Sequence, residues 1–310
     1  MMAGRFYCEW RARRPHESDL LRTLCETLEI DGWRKSETAD SADLSVVWGW
    51  DRLVEGQPTV FVERGWLPRW LYQVSPRGLN AESHVAEASR RSTKSERSKA
   101  SVALELLRTT PCTSYPRDFA YADPAIEPAR ELPAEFVLAP LQVETDPNLR
   151  SRINCRFEDF VLTVTLSDPP FPIVFKRHPA LAASRRPVTT LRRDDVVLDH
   201  DDAVNVHSVL KHPGCKAVVT LNSNVAHDAL IWDVPVVALA RGPWPEDGPF
   251  WTTSPASWDG FLRYAAADGM RKARLDYTAH LLREQWTVER AEDVDEVRSL
   301  VEAARREVSR

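Results

Sequence analysis

No apolar run in this sequence approaches bilayer length: the longest, such as Val234 to Ala240, fall far short of the ~20 residues that a spanning helix needs. Polar, arginine-rich sequence stands at the N-terminus, where a leader peptide would need an apolar stretch. The chain therefore reads as cytoplasmic, without stable membrane insertion. Cysteine is scarce and scattered. Cys8, Cys25, Cys112, Cys155 and Cys215 are odd in number and never fall at the short spacings of zinc sites or redox motifs, so they read as reduced thiols with no structural metal. Positive charge is not in excess either: a formal net charge of −5 excludes a protein that is basic all over, the usual footprint of a general nucleic-acid binder. A local basic patch stays open. No internal repeat suggests a solenoid.

What the 310 residues do hold, at 43% hydrophobic, is enough apolar side chain for a sizeable core and for two domains. Arg5 to Trp10 reads as a strand, and Leu20, Leu21, Leu24 and Leu28 recur at helical spacing up to a stop near Gly32. Leu44 to Trp48 and Thr59 to Val62 read as short buried parallel strands. Ser89 to Lys99 (SRRSTKSERSK) is a charged loop, Val102 to Leu107 a helix, and Pro111 to Pro140 a proline-rich stretch that marks a domain boundary. Beyond it, strands at Phe136 to Ala139, Ile173 to Phe175, Val196 to Leu198, Ala217 to Thr220 and Pro235 to Leu239 alternate with helices at Phe157 to Val164, Val204 to Leu210 and Asn224 to Ile231. Such βαβ alternation implies a mostly parallel sheet that binds ligands at the carboxyl ends of its strands. After Trp251 the signals are helical, through Phe261 to Ala267, Ala273 to Leu282 and Val294 to Val308. The expected layout is an N-terminal domain over residues 1–130, a second α/β domain over 131–255, and C-terminal helices over 256–310 packing on both.

The most informative stretch is AVVTLNSNVAHDALIWDVPVVAL, Ala217 to Leu239: a strand, a polar turn at Asn222, Ser223 and Asn224, a helix, and a second strand. A turn of this kind aims N–H groups and short polar side chains at a helix N-terminus, where phosphate is stabilised. The alternative is that Ser223 and Asn224 merely cap the helix. Asp228, one turn in, reaches a nucleotide ribose if that end faces the ligand; otherwise it is a solvated helix residue. Lys176, Arg177 and His178 follow a strand directly, which places two cations and an imidazole at a carboxyl end, suited to the charge that builds on a leaving diphosphate. His178 can equally be structural. Asp199, His200 and Asp201 superficially resemble a metal-binding set, but a cap for the helix beginning near Ala203 is the favoured reading, and no metal is expected.

The runs FVLAPLQVETD (Phe136 to Asp146), KRHP (Lys176 to Pro179) and TLNSNVAHDALIWDVPVVAL (Thr220 to Leu239) resemble the C-terminal domain of the capsule polysaccharide biosynthesis and export family, which includes Kdo transferases of the GT-B fold. VVWGW (Val46 to Trp50), VERGWLPR (Val62 to Arg69) and GLN (Gly78 to Asn80) are similar to that family's N-terminal elements. The resemblance spans roughly positions 44 to 240, by motif order and not by close identity. It implies two Rossmann-like α/β domains, and a donor site in which Ser223 and Asn224, with Asn222 in the same turn, contact phosphate. It also implies that Lys176 and His178 stand near the phosphate or sugar and that Gln142 and Asp146 line the cleft. Where the family has Glu before Ala-Leu, this chain has Asp228, one methylene shorter.

On that reading the chain is a glycosyltransferase with no covalent cofactor, using a nucleotide sugar (UDP- or CMP-sugar) as co-substrate. Glu63, closing a strand, can act as general base on the acceptor hydroxyl; Asp51 is the reserve, and a salt bridge from Glu63 to Arg64 or Arg69 is the alternative. Trp48, Trp50 and Trp66, with Arg69, are candidates for acceptor contact, since aromatic faces stack on sugars or bases; tryptophans at such spacing also fill cores, and Trp70 shares both readings. The acceptor is a glycan. The alternative acceptor is DNA carrying a hydroxymethylated base, which would give the basic run Arg90, Arg91, Lys94, Arg97 and Lys99 a phosphate backbone to follow. An alternative of another class is a non-catalytic sugar-nucleotide or glycan-binding protein.

Overall fold

In a computed structural model of the chain, the described residues are 4–9, 15–49, 54–68, 70–79, 82–83, 85, 92–109, 131–143, 156–178, 188, 194–198, 204–245, 248–252 and 257–309. The elements begin with β1 (Gly4–Glu9), α1 (Pro15–Ile30), β2 (Trp33–Lys35), β3 (Leu44–Trp48), β4 (Thr59–Arg64), β5 (Tyr72–Ser75) and α2 (Lys94–Thr109). They continue with β6 (Phe136–Pro140), α3 (Phe157–Leu166), β7 (Ile173–Lys176), β8 (Val196–Leu198), α4 (Val206–Leu210), β9 (Cys215–Thr220), α5 (Val225–Ile231), β10 (Val236–Ala238) and β11 (Phe250–Trp251). Helices α6 (Trp258–Ala265), α7 (Asp268–Glu284), α8 (Val288–Ala291) and α9 (Val294–Val308) follow.

The chain divides into two compact units, Met1–Ala88 with Leu281–Arg310, and Ser89–His280. Each is an α/β unit with a parallel-rich sheet, as the resemblance to GT-B proteins implies, and the C-terminal part is helical. The first sheet has the order β2-β1-β3-β4-β5, parallel except for β5, which runs antiparallel to β4. Alternation along these strands turns Phe6, Cys8, Val46, Val60, Val62 and Val74 to one face, where they pack with Leu20, Leu21, Leu24 and Leu28 of α1. Helix α9 completes that core with Val297, Leu300, Val301 and Ala304. The second sheet has the order β11-β10-β9-β6-β7-β8, parallel throughout. One of its faces packs Val137, Ile173, Phe175, Ala217 and Val219 against α3 and α6 through Phe160, Val164, Trp258 and Phe261.

Several expectations change here. Helix α2 falls in the second compact unit and packs on α5: the Arg108 side chain donates to the Ile231 carbonyl at 2.7 Å and pairs with Asp233 at 2.6 Å. Of the C-terminal helices, α6 packs on the second sheet through Trp258 and Phe261, and α9 belongs to the core of the first unit. From Lys94 onward the charged run is helix, opened by Thr93 and Glu96, whose side chains exchange hydrogen bonds with each other's backbone N–H. Helix α4 begins at Val206 with Asn205 as its cap, not near Ala203. Cys8, Cys25 and Cys215 are buried free thiols, and Cys8 and Cys25 belong to the core of the first unit.

Candidate functional site

In the second sheet the chain steps outward from β6 to β7 and β8, then returns to β9 and steps the other way to β10 and β11. Winding therefore reverses between β6 and β9, and open α/β sheets take ligands at the carboxyl ends beside such a reversal. Gln142 and Asn222 lie just past the ends of those two strands. The Gln142 amide donates to Asn222 Oδ1 at 2.9 Å, while its Oε1 accepts from the Asn222 N–H at 3.1 Å and from Thr220 Oγ1 at 3.3 Å. Thr220 Oγ1 in turn accepts from the Ser223 N–H at 3.2 Å. The turn after β9 is thus braced from the neighbouring strand.

This bracing consumes donors that the sequence pattern assigns to a phosphate. The Val225 N–H goes to Ser223 Oγ at 3.2 Å, the Ala226 N–H to the Ser223 carbonyl at 3.0 Å and the His227 N–H to the Asn224 carbonyl at 3.0 Å. Asn224, at the N-cap of a seven-residue helix, has helical dihedrals (φ −60°, ψ −14°) and no side-chain cap bond. What the turn presents to an anion is therefore mainly side chain, not an open row of N–H groups. Asp228 is 3% exposed, so its reading as a solvated residue fails.

Cationic groups gather along the same edge. Lys176 ends β7, and Arg177 follows with its N–H on the Leu198 carbonyl at 3.1 Å; each side chain is only 8% exposed. Lys176 Nζ donates to the Arg177 carbonyl at 3.4 Å. His178 is half-buried beside them. Two adjacent buried cations need anionic or dipolar compensation nearby. Past β10, Arg241 stands exposed at the same end of the sheet, with its carbonyl accepting from Asn222 Nδ2 at 3.4 Å. The sequence reading passed over Arg241 because a single arginine after a strand carries no motif.

Helix α5 is held from its sides. His227 is fully buried, and its Nε2 lies 3.0 Å from Tyr277 Oη, which donates to the Pro243 carbonyl at 2.7 Å. Because that phenolic proton is spent on Pro243, His227 Nε2 is the donor to Tyr277, and burial pushes the Tyr277 phenol well up, keeping it protonated. Asp233, in the left-handed region at φ 62°, ion-pairs with both Arg108 and Arg274.

In the first sheet winding reverses between β1 and β3. Glu9 ends β1 and Trp48 ends β3, followed by Gly49 at φ +96°, a turn that a side chain would strain. Glu63 lies near the end of β4, half-buried, opposite Gln73. Glu9 pairs with Val47 and Val47 with Phe61, so Glu9 and Glu63 emerge on one sheet face, opposite to the face carrying Val46, Val60 and Val62. Glu9 was missed because it was only the penultimate residue of an expected strand. Trp48 is partly buried and edge-on to Tyr72 at 6.4 Å. Trp66 is fully buried, with its N–H on Gln285 Oε1 at 2.5 Å, and is a core residue instead of a stacking surface. Trp70 is 50% exposed. Asp51, Trp50, Arg69, Asp146, Asp199, His200 and Asp201 lie outside the described residues. Among the described residues no group of His, Cys, Asp and Glu could hold a metal ion, and no helix is long and apolar enough to cross a membrane.

Residues 104–281 match the family described as capsule polysaccharide biosynthesis protein. Two solved structures from Thermosulfurimonas dismutans are similar to the chain in fold. One, KpsC beta Kdo 2,4 transferase, is 18% identical, with 89% of each chain covered and a TM-score of 0.57. The other, KpsC beta Kdo 2,7 transferase, is 16% identical, with 95% of this chain and 98% of that one covered and a TM-score of 0.56. No curated protein matches the chain.

Proposed function

This chain belongs to the capsule polysaccharide biosynthesis protein family, and we propose that it is a glycosyltransferase whose second unit binds a nucleotide sugar and whose first unit serves a glycan acceptor. The observation that carries this reading is the carboxyl edge of the second sheet, where Lys176, Arg177 and His178 share one end with the braced Gln142–Asn222 pair at the winding reversal. In the reaction Glu63 takes the proton of an acceptor hydroxyl. The acceptor oxygen bonds to the anomeric carbon, the bond from that carbon to the donor phosphate oxygen breaks, and its electron pair leaves on the nucleotide. Lys176 and His178, with the side chains of Asn222, Ser223 and Asn224, stabilise the phosphate; Asp228 meets the nucleoside. No metal is assigned a step.

The test is a donor turnover and transfer screen by mass spectrometry, with UDP-, GDP- and CMP-sugars, each with oligosaccharide acceptors or with DNA containing hydroxymethylcytosine or hydroxymethyluracil. Donor turnover with sugar gained by an oligosaccharide supports the reading. Sugar gained by the DNA base moves the acceptor to nucleic acid. Nucleotide binding without any turnover makes the protein a binding module. The DNA arm has lost part of its sequence support: Arg97 is engaged by Asp276 at 3.1 Å and by the Ser92 carbonyl.

A further inference from the structure

We infer that Arg241 is a phosphate-reading residue of the second unit's ligand site, presented by a loop built to hold it still. The inference rests on the reading of that unit as the nucleotide-binding half and adds a cation that no motif assigns. Three carbonyls of the segment leaving β10 are each taken by a side chain from elsewhere in the unit or the loop. The Ala240 carbonyl accepts from Trp244 Nε1 at 2.9 Å, the Arg241 carbonyl from Asn222 Nδ2 at 3.4 Å, and the Pro243 carbonyl from Tyr277 Oη at 2.7 Å. A Cβ at Gly242 would run into the Trp244 ring, so the ring packs directly against the backbone immediately after Arg241. Trp244, Phe250, His227 and Tyr277 then pack as one aromatic group, with Trp244 and Phe250 centroids 4.6 Å apart and His227 and Tyr277 stacked at 5.9 Å. A loop backbone anchored at these points loses little further entropy when a ligand binds, which leaves the ordering cost to the Arg241 side chain alone.

The chemistry selects the ligand class. Arg241 is exposed, and no carboxylate among the described residues forms an ion pair with it. Its backbone is tied through Asn222 to Gln142, so the ends of β10, β9 and β6 move as one piece beside the winding reversal. A planar guanidinium there matches phosphate oxygens in a two-point fork, a geometry that lysine does not reproduce. The ligand is a nucleoside mono- or diphosphate, bare or bearing a sugar.

The experiment is isothermal titration of the full chain with CMP, CDP, UDP and GDP, at low and at physiological salt. Wild type, Arg241→Ala and Arg241→Lys are compared, with Arg22→Ala, a salt-bridged surface arginine of the first unit, as a charge-matched control. The expected result is that wild type binds at least one nucleotide, Arg241→Ala weakens that binding about 10- to 100-fold, Arg241→Lys recovers only part of it, and Arg22→Ala leaves it unchanged. Unchanged thermal midpoints for the variants keep the comparison one of binding. If wild type binds and Arg241→Ala binds equally well, the role of Arg241 is overturned while the nucleotide-binding reading stands. If wild type binds none of the four, both fall.

Discussion

The two units are wound alike and end in opposite chemistry. In both sheets the strands flanking the reversal of winding are parallel, yet the carboxyl edge of the first offers Glu9, Glu63 and the tryptophans Trp48 and Trp70, whereas that of the second offers Lys176, Arg177, His178 and Arg241 among amides. The scaffold supplies the place and the few residues past each strand end decide the ligand. An edge of carboxylates and indole rings suits a neutral hydroxyl compound that must lose a proton; an edge of cations suits a phosphate that must gain negative charge.

That contrast can be broken, and the sharpest attempt is Glu63→Gln. Transfer should fall about 10²- to 10⁴-fold with the nucleotide Kd unchanged; if titration shows the Kd rising as steeply as kcat falls, the division of labour is wrong. Next in size is Trp66→Ala, which removes a fully buried ring and should lower stability in urea by about 3–5 kcal/mol. A loss under about 1 kcal/mol accompanied by lost transfer would return Trp66 to the acceptor. Smaller is Gln142→Leu, which removes both hydrogen bonds between Gln142 and the half-buried Asn222 and should cost about 0.5–1.5 kcal/mol while raising the nucleotide KM. A raised KM at unaltered stability would mean that Gln142 touches the nucleotide instead of bracing the turn.

The smallest effect is acid-side. Burial alone raises the Asp276 carboxyl, but hydrogen bonds from Lys272 and Arg97, the Lys272 charge and the Ser92 N–H together hold it below its ordinary value. A carboxyl depressed in the folded state contributes stability in full above its unfolded pKa of about 4, and the contribution is lost as the pH falls through the folded value. Asp276→Asn should therefore lower neutral-pH stability by about 1 kcal/mol or less and flatten the acid limb of a stability–pH curve. An acid limb as steep as the wild type's would show that other carboxylates govern it.

Much of this scaffold was legible. β3, β8 and α9 fall where periodicity places them, because their apolar spacing and polar or turn-forming flanks agree. β5 was not: all four of its residues are buried, including Gln73 and Ser75, so neither alternation nor an apolar run marks it. The start of α2 was misjudged although Thr93 and Glu96 stood at capping-box spacing, since the surrounding arginines, lysines and serines read as loop. The turn at Asn222 to Asn224 was found, but its internal hydrogen bonding was not, because the partner that uses up the Asn222 N–H is Gln142, far upstream. Trp66 and Trp70 show the same limit: four residues apart with the same side chain, one is core and the other half-exposed.

The division between the units falls inside α7, after His280. Everything from Leu281 to α9 therefore returns to the core of the first unit, where Val297, Leu300 and Val301 meet Leu20 and Leu24. On a ribosome, the first unit to be made cannot be the first to finish. Its core must wait with α1 in place but α9 still missing while the second unit, contiguous from Ser89 to His280, closes its own. The order of synthesis and the order of completion run in opposite directions.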